Sequence, residues 1–178
     1  MVALLMACAP AGSLRPPPSP APGNTVELGS GVVAQVPRSW VDEPWRAAVQ
    51  MWGGGHISDR VELATIVMLD DLGIASGIAL RWLPVETDRL TAGLELQVGW
   101  LWIAVAVPVS ARLFGQTRLY TAPRIGTFGA EWTPALPLGV SLGFPRNVDL
   151  RLEGQVSWPG FHASGRRAHL SAAAAHQW

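Results

Sequence analysis

The feature of this sequence that most restricts its fold is a period of two in hydrophobicity, repeated through most of the chain. From Leu90 to Val98, apolar side chains alternate with threonine, glycine, glutamate and glutamine. Similar alternation recurs in the segments 45–52, 103–113, 148–158 and 167–178. Successive side chains of a β-strand point to opposite faces, so this pattern predicts strands with one apolar and one polar face.

Turn-forming residues divide the patterned region into about ten strands. These strands are predicted at 25–36, 45–54, 60–69, 73–83, 89–99, 102–114, 117–127, 132–143, 147–158 and 166–177. Four prolines, Pro108, Pro123, Pro134 and Pro137, fall inside them. Because proline cannot donate to a strand ladder, eight strands are the alternative.

The first 23 residues differ from this pattern. Residues 9–23 read APAGSLRPPPSPAPG, a proline-rich segment without periodicity, which predicts an extended spacer. The sequence therefore divides into a short leader at 1–8, the spacer at 9–23 and one β-domain at 24–178.

The leader ends in the segment Leu5-Met6-Ala7-Cys8, which resembles the lipobox of bacterial lipoproteins. The resemblance implies that residues 1–8 are the remnant of a signal peptide and that Cys8 is the site of lipid attachment. Met6 is unusual at its position, and no Arg or Lys precedes the apolar stretch, whereas a signal peptide begins with positive charge. An unmodified cysteine is the alternative, and a single cysteine excludes a disulfide within the chain.

Composition excludes several classes of protein. The formal net charge is zero and no basic run exceeds the pair Arg166-Arg167, which argues against nucleic-acid binding. After the N-terminus, the longest stretch without an ionisable residue is Leu96 to Ala111, 16 residues. A membrane-spanning helix needs about 20 apolar residues, which argues against a helical membrane protein.

Alternation alone does not distinguish a membrane-spanning barrel from a soluble barrel or sandwich, because the apolar face points outward in the first and inward in the other two. Three further features favour the membrane-spanning barrel. The polar face is rich in small residues, as a narrow lumen requires. Lysine, which commonly protects the edges of soluble sheets, is absent. Tryptophans lie at or near the predicted strand ends, as interfacial girdles require: Trp40, Trp45, Trp52, Trp82, Trp100, Trp102, Trp132 and Trp158.

The last predicted strand has apolar residues alternating back from Trp178, which resembles the last-strand signal of bacterial outer-membrane β-barrel proteins. The resemblance implies an all-β, closed antiparallel up-and-down transmembrane β-barrel, surrounded by outer-membrane lipid. Trp178 is then the signal for the barrel-assembly machinery. Ala172 and Ala174 depart from the larger residues common in that signal, and His176 interrupts the row. An even strand number puts both termini on one side, expected to be the periplasmic side.

The polar face of the predicted barrel carries nine charged residues: Arg46, Glu62, Glu95, Arg112, Arg118, Arg124, Arg151, Glu153 and Arg167. Eight to ten strands enclose a lumen that side chains fill, whereas open porins need about 16. Buried charges must be paired, so a compensating polar network is the preferred interpretation. An ion-selective path or a ligand site is the alternative.

Candidate catalytic residues are few. His169-Leu170-Ser171 resembles the His-x-Ser pair of outer-membrane lipid A deacylases, and Glu153 on the preceding strand is the residue that would orient the histidine. The phase of that strand turns the pair toward the lumen rather than toward lipid, and polar packing in the lumen is the preferred interpretation. His56 and His176 lack partners at metal-ligand spacing, so neither a metal nor another cofactor is expected.

These observations predict a small outer-membrane β-barrel lipoprotein with a non-enzymatic anchoring, structural or partner-binding role. Two alternatives stay open. One is a small barrel enzyme or transporter acting on lipids or small solutes. The other is a soluble periplasmic β-barrel or sandwich lipoprotein.

Overall fold

A computed structural model describes residues 26–37, 45–70, 73–100, 102–128, 131–161 and 166–178. The predicted leader and spacer, with Cys8, and also Trp40 lie outside these ranges. The strands are β1 (Val26–Val36), β2 (Arg46–Ser58), β3 (Val61–Asp70), β4 (Gly73–Glu86), β5 (Leu90–Gly99), β6 (Trp102–Ala106), β7 (Val109–Phe114), β8 (Thr117–Thr121), β9 (Arg124–Phe128), β10 (Glu131–Phe144), β11 (Val148–Ser157) and β12 (Arg167–Gln177). A short 3₁₀ turn follows β11 at Pro159–Phe161.

The strands form a closed antiparallel ring. Each pairs with its neighbours around the wall, and β1 pairs with β12 from Glu27 opposite Gln177 to Val36 opposite Ala168. Segments β6 and β7 continue one another along the wall, as do β9 and β8, because both members of each couple lie between the same neighbouring strands. The twelve segments therefore make ten wall strands. The prediction of a ten-stranded up-and-down barrel is confirmed, and eight strands are excluded.

Proline explains why two of the wall strands are divided. Pro108 separates β6 from β7, and Pro123 separates β8 from β9. Neighbouring strands still use the carbonyl groups at these breaks: the Gly93 amide donates to Pro108 O at 2.9 Å, and the Val107 amide donates to Pro123 O at 2.9 Å. The missing proline N–H groups thus interrupt the ladder locally without opening the wall.

The barrel has two distinct ends. The terminal end carries Val26 and Trp178, which exchange backbone hydrogen bonds, and the turns at 59–60, 87–89, 115–116 and 145–147. The loop end carries the strand ends that flank residues 37–45, 71–72, 100–101, 129–130 and 158–166. The described chain therefore begins and ends at the same end of the barrel.

Apolar rows cover the outer wall. Leu96 is 42% exposed, whereas Glu95, its neighbour on β5, is 3% exposed and points into the lumen. Leu94, Val105 and Val107 are exposed in the same way, while Gln97 is buried. The apolar face of the alternating sequence therefore points outward, and the polar face points into the lumen. Among the described residues no helix is long and apolar enough to cross a membrane.

Glycine and aromatic residues share the space inside the barrel. A Cβ atom at Gly29 would overlap the Trp52 ring, and one at Gly139 would overlap the Tyr120 ring. Trp102 likewise lies where a Cβ at Gly99 would be. The small residues of the polar face therefore make room for aromatic rings that fill the lumen.

This packing corrects the expectation for two tryptophans. Trp52 and Trp102 are buried in the lumen and do not belong to an interfacial girdle. Their inward direction follows from strand parity, which proximity to a strand end does not determine. Other tryptophans are at least 49% exposed: Trp45, Trp82, Trp100, Trp132 and Trp178.

Candidate functional site

The first charged group in the lumen is centred on Arg81 of β4. Arg81 Nε donates to Glu95 Oε2 at 2.7 Å, and Arg81 Nη1 donates to Glu62 Oε2 at 3.0 Å. Gln97 Nε2 donates to the other oxygen of Glu95. His56 Nε2 lies 3.7 Å from Glu62 Oε1. We call Glu62, Arg81 and Glu95 the Arg81 cluster; its guanidinium compensates two buried carboxylates that lie two strands apart.

The second group is centred on Arg151 of β11, at the terminal end. Its two Nη atoms donate to both oxygens of Glu27, at 3.0 and 2.6 Å. Trp52 Nε1 and Gln177 Nε2 donate to the same carboxylate, at 2.6 and 2.9 Å. Asp149 lies 3.3 Å from Arg151 Nη2. We call Arg151 and Glu27 the Arg151 cluster. Their charge-assisted hydrogen bonds link β1 to β11 across β12.

Two further arginines bond neutral polar groups. Arg118 Nε donates to Ser110 Oγ at 3.0 Å, and Arg118 Nη2 donates to Thr91 Oγ1 at 3.2 Å. Arg124 Nη2 donates to Gln155 Oε1 at 2.7 Å. The described lumen thus holds charged side chains of both signs, and its buried members are the glutamates 27, 62, 95 and 153 and the arginines 81, 118, 124 and 151.

Most of the charged residues expected in the lumen are buried there, with three exceptions at strand ends. Arg46 and Arg112 are at positions whose side chains point inward, but both are exposed because they lie near the ends of their strands, at the rim of the barrel. Arg167, at the start of β12, is half-buried.

Glu27 and Arg81, which organise the two clusters, are not among the lumen residues predicted from the sequence. Alternation contained the signal for both. Glu27 stands between the outward residues Val26 and Leu28, and Arg81 stands between two outward residues in the same way. Cross-strand pairing, which sequence alone does not supply, was needed to join them to Arg151, Glu62 and Glu95.

The residues of the proposed catalytic pair share a face but do not form a relay. Ser171 lies opposite Glu153 in the ladder, and His169 lies opposite Gln155. All of these side chains are buried in the lumen. Ser171 Oγ and His169 Nδ1 have no hydrogen-bond partner among the described residues. No Ser-His-Glu hydrogen-bond chain is therefore present to activate a nucleophile.

Within the described ranges, no group of three or more His, Cys, Asp or Glu side chains is placed to hold a metal ion. His56 lies beside Glu62, and the ring of His176 packs 4.6 Å from that of Trp178.

No protein-family model and no curated protein matches this chain. Several solved structures resemble it. The match to NanC porin covers 86% of this chain and 99% of the porin chain, with 10% identity and a TM-score of 0.51. The N-terminal β-barrel domain of Pseudomonas aeruginosa OprF covers 86% and 97%, with 8% identity and a TM-score of 0.42. Neisserial surface protein A covers 86% and 96%, with 13% identity and a TM-score of 0.36. At such identities, the similarity to NanC porin shows a shared barrel fold.

Proposed function

We propose that this chain is a small outer-membrane β-barrel lipoprotein whose lumen is filled by side chains. Its role in this proposal is non-enzymatic: it anchors, supports or binds a partner at the membrane. The observation that carries the proposal is the outer wall, where apolar side chains face outward on strand after strand while the charged side chains are turned inward.

The outer wall has the arrangement that a bilayer requires. Exposed tryptophans stand at two levels, with Trp82 and Trp178 toward the terminal end and Trp45, Trp100 and Trp132 toward the loop end. Between them lie leucine, valine and isoleucine. A water-soluble protein rarely exposes so continuous an apolar surface. Burial of one such side chain in an apolar phase contributes about 1.5–3 kcal/mol, so lipid around the wall would stabilise the barrel strongly.

The interior argues against general diffusion. Ten strands enclose a lumen close in size to that of the small barrels that side chains fill, and about 16 strands are needed for an open channel. In this barrel aromatic rings and the Arg81 and Arg151 clusters occupy the interior. A structural or partner-binding role therefore agrees better with the lumen than passage of large solutes does.

The same proposal assigns an orientation and two partners. Both described termini are expected on the periplasmic side, where a lipid on Cys8 would anchor the spacer at 9–23. The barrel-assembly machinery would recognise the last strand, whose outward row runs from Leu170 through Ala172 and Ala174 to Trp178. Outer-membrane lipid would surround the wall.

Membrane fractionation combined with heat-modifiable gel migration tests location and closure together. We expect the protein in the outer-membrane fraction, with unheated samples migrating differently from boiled ones. Recovery in the soluble periplasmic fraction would contradict the proposal. The variants His169→Ala and Ser171→Ala test the enzyme alternative, because both should leave lipid A acylation unchanged. Loss of a lipid A modification in either variant would favour an enzyme.

A further inference from the structure

A broad groove crosses the outer wall of the barrel over β1, β12, β11, β10 and β8. Its volume is about 680 Å³. Leucines with outward side chains form its sides, among them Leu138, Leu152 and Leu170, which are 55–58% exposed. The groove is therefore an apolar depression in the surface that lipid is proposed to cover.

Small residues make the depression. Ala34 of β1, Ala172 of β12 and Gly154 of β11 alternate with the larger outward residues of the groove. A Cβ atom at Gly154 would meet only the Leu170 side chain, at 3.9 Å, whereas one at Gly139 would overlap an aromatic ring. Packing within the barrel thus does not require the glycine at 154, and the gap opens to whatever surrounds the wall.

The upper row of the groove leads to the loop end of the barrel. Its members are paired directly in the ladder and continue to the start of β2: Leu138, Gly154, Leu170, Ala34 and Ala47. Counted from the terminal end, Ala47 is the twelfth residue of β2, and Leu138 is the seventh of β10. The row therefore descends obliquely into the wall from the loop end.

The dimensions of this row suit one acyl chain of a single leaflet. Five strands are crossed, a distance of about 19 Å. Because the strands of membrane barrels tilt by about 35–45°, a row perpendicular to them descends about 12 Å over that distance. Half of the hydrocarbon core is about 15 Å thick, so a chain that starts at the loop end can follow the row without leaving its leaflet.

The residues where the row reaches the rim suit an anionic headgroup. Trp45 is 50% exposed, and both Arg46 and Arg166 are exposed. Arg46 lies level with His169 of β12, two strands away, and Arg166 lies three residues farther up that strand. This register puts the two arginine Cα atoms about 14 Å apart. Arginine binds phosphate strongly, and two separated arginines suit a headgroup with two separated phosphates.

We propose that the groove binds lipid A, with one acyl chain over Gly154 and Ala172 and with its two phosphates at Arg46 and Arg166. Lipid A has saturated chains on a disaccharide that carries a phosphate at each end. The inference rests on the proposed outer-membrane location with the loop end outward, and it goes beyond general contact with lipid by assigning one lipid to one place. A second copy of this chain is the competing occupant of the groove.

The first test fills the groove. The full-length chain is folded in detergent micelles, lipid A is titrated in, and native mass spectrometry measures the bound fraction. The variant Gly154→Leu/Ala172→Leu should weaken binding at least tenfold, because the leucine side chains occupy the path of the acyl chain. Ser76→Leu/Ala92→Leu, at outward positions of β4 and β5 across the ring, is the matched control and should bind as the wild type does.

Ala172→Leu alone serves as the groove variant if the double change prevents folding. Equal affinity for lipid A in the wild type and the groove variant would overturn the proposal. A dimer that the groove variant dissociates, with lipid A binding unchanged, would overturn it in favour of a second copy.

The second test removes the cations. The variant Arg46→Gln/Arg166→Gln should lose the preference of the wild type for lipid A over dephosphorylated lipid A. Arg60→Gln/Arg89→Gln, at exposed turns of the terminal end, is the control and should keep that preference. An unchanged preference in Arg46→Gln/Arg166→Gln would overturn the proposal.

Membrane fractionation of the same proteins separates failure of this site from failure of the proposed function. If the wild type is in the outer-membrane fraction and binds lipid A no better than the groove variant, only the lipid A site is wrong. Recovery of the wild type as a soluble protein would overturn both.

Discussion

Replacement of Arg81 by methionine should destabilise the barrel strongly while preserving most of the volume of the side chain. The variant leaves two carboxylates, Glu62 and Glu95, inside the lumen without the guanidinium that bonds both of them at 3.0 and 2.7 Å. Removal of one partner from a buried ion pair costs about 3–5 kcal/mol. Because Arg81 serves two carboxylates, we expect a loss of free energy of unfolding near 5 kcal/mol, at the upper end of that range.

A second variant separates lost pairing from lost packing. In Glu62→Gln/Arg81→Met/Glu95→Gln no charge is left without compensation, and replacement of a whole buried ion group by neutral residues is often close to neutral. This triple variant should therefore recover most of the stability that the single change removes. Such non-additivity is expected of residues in one network.

Urea-induced unfolding from lipid vesicles, followed by tryptophan fluorescence, measures these free energies. Arg89→Met, a change at an exposed arginine in the 87–89 turn, is the control and should stay within about 0.5 kcal/mol of the wild type. A loss below about 1 kcal/mol for Arg81→Met would refute the ionic interpretation of the cluster. A triple variant as unstable as the single variant would refute it too.

Three further predictions concern the wall, the packing of the lumen and the leader. Leu96→Arg should cost about 2–4 kcal/mol of folding free energy in bilayers, and Leu90→Arg, near the terminal end, about 0–1 kcal/mol; equal costs in vesicle refolding would contradict the membrane depth assigned to Leu96. Gly139→Val should cost about 1–3 kcal/mol because its side chain overlaps the Tyr120 ring, and Tyr120→Ala should relieve part of that cost in a double-mutant cycle. Cells grown with a fatty-acid analogue should label the wild type and not Cys8→Ser; equal labelling would exclude lipid attachment at Cys8.

Much of the fold could be predicted because a lipid-facing wall and a polar lumen impose opposite demands on successive residues. Leu94 and Leu96 against Glu95 and Gln97 gave both the strand and its faces, and the structure agrees. Turn residues gave the strand number. The prolines at 108 and 123 altered only the continuity of two strands, since the neighbouring strands still hydrogen-bond around the breaks.

The contacts inside the lumen could be predicted only in part, since they depend on register between strands. Alternation alone predicts that Glu62 and Glu95 face the lumen, but the role of Arg81 depends on the pairing of β4 with both neighbouring strands. Trp52 illustrates a second limit: its position near a predicted strand end is compatible with a girdle. The space over Gly29 and the Glu27 carboxylate hold the ring inside.

Site-directed spin labels test directly whether the apolar outer wall faces lipid. A label at Leu96 and, as the matched control, a label at Gln97 on the opposite face of β5 would be introduced into protein reconstituted in vesicles. We expect molecular oxygen, which concentrates in lipid, to relax the Leu96 label strongly, while a water-soluble nickel chelate does not reach it. The Gln97 label should be protected from both reagents. A Leu96 label that is open to the nickel chelate, or one enclosed within a lipid-free water-soluble protein, would contradict the claim.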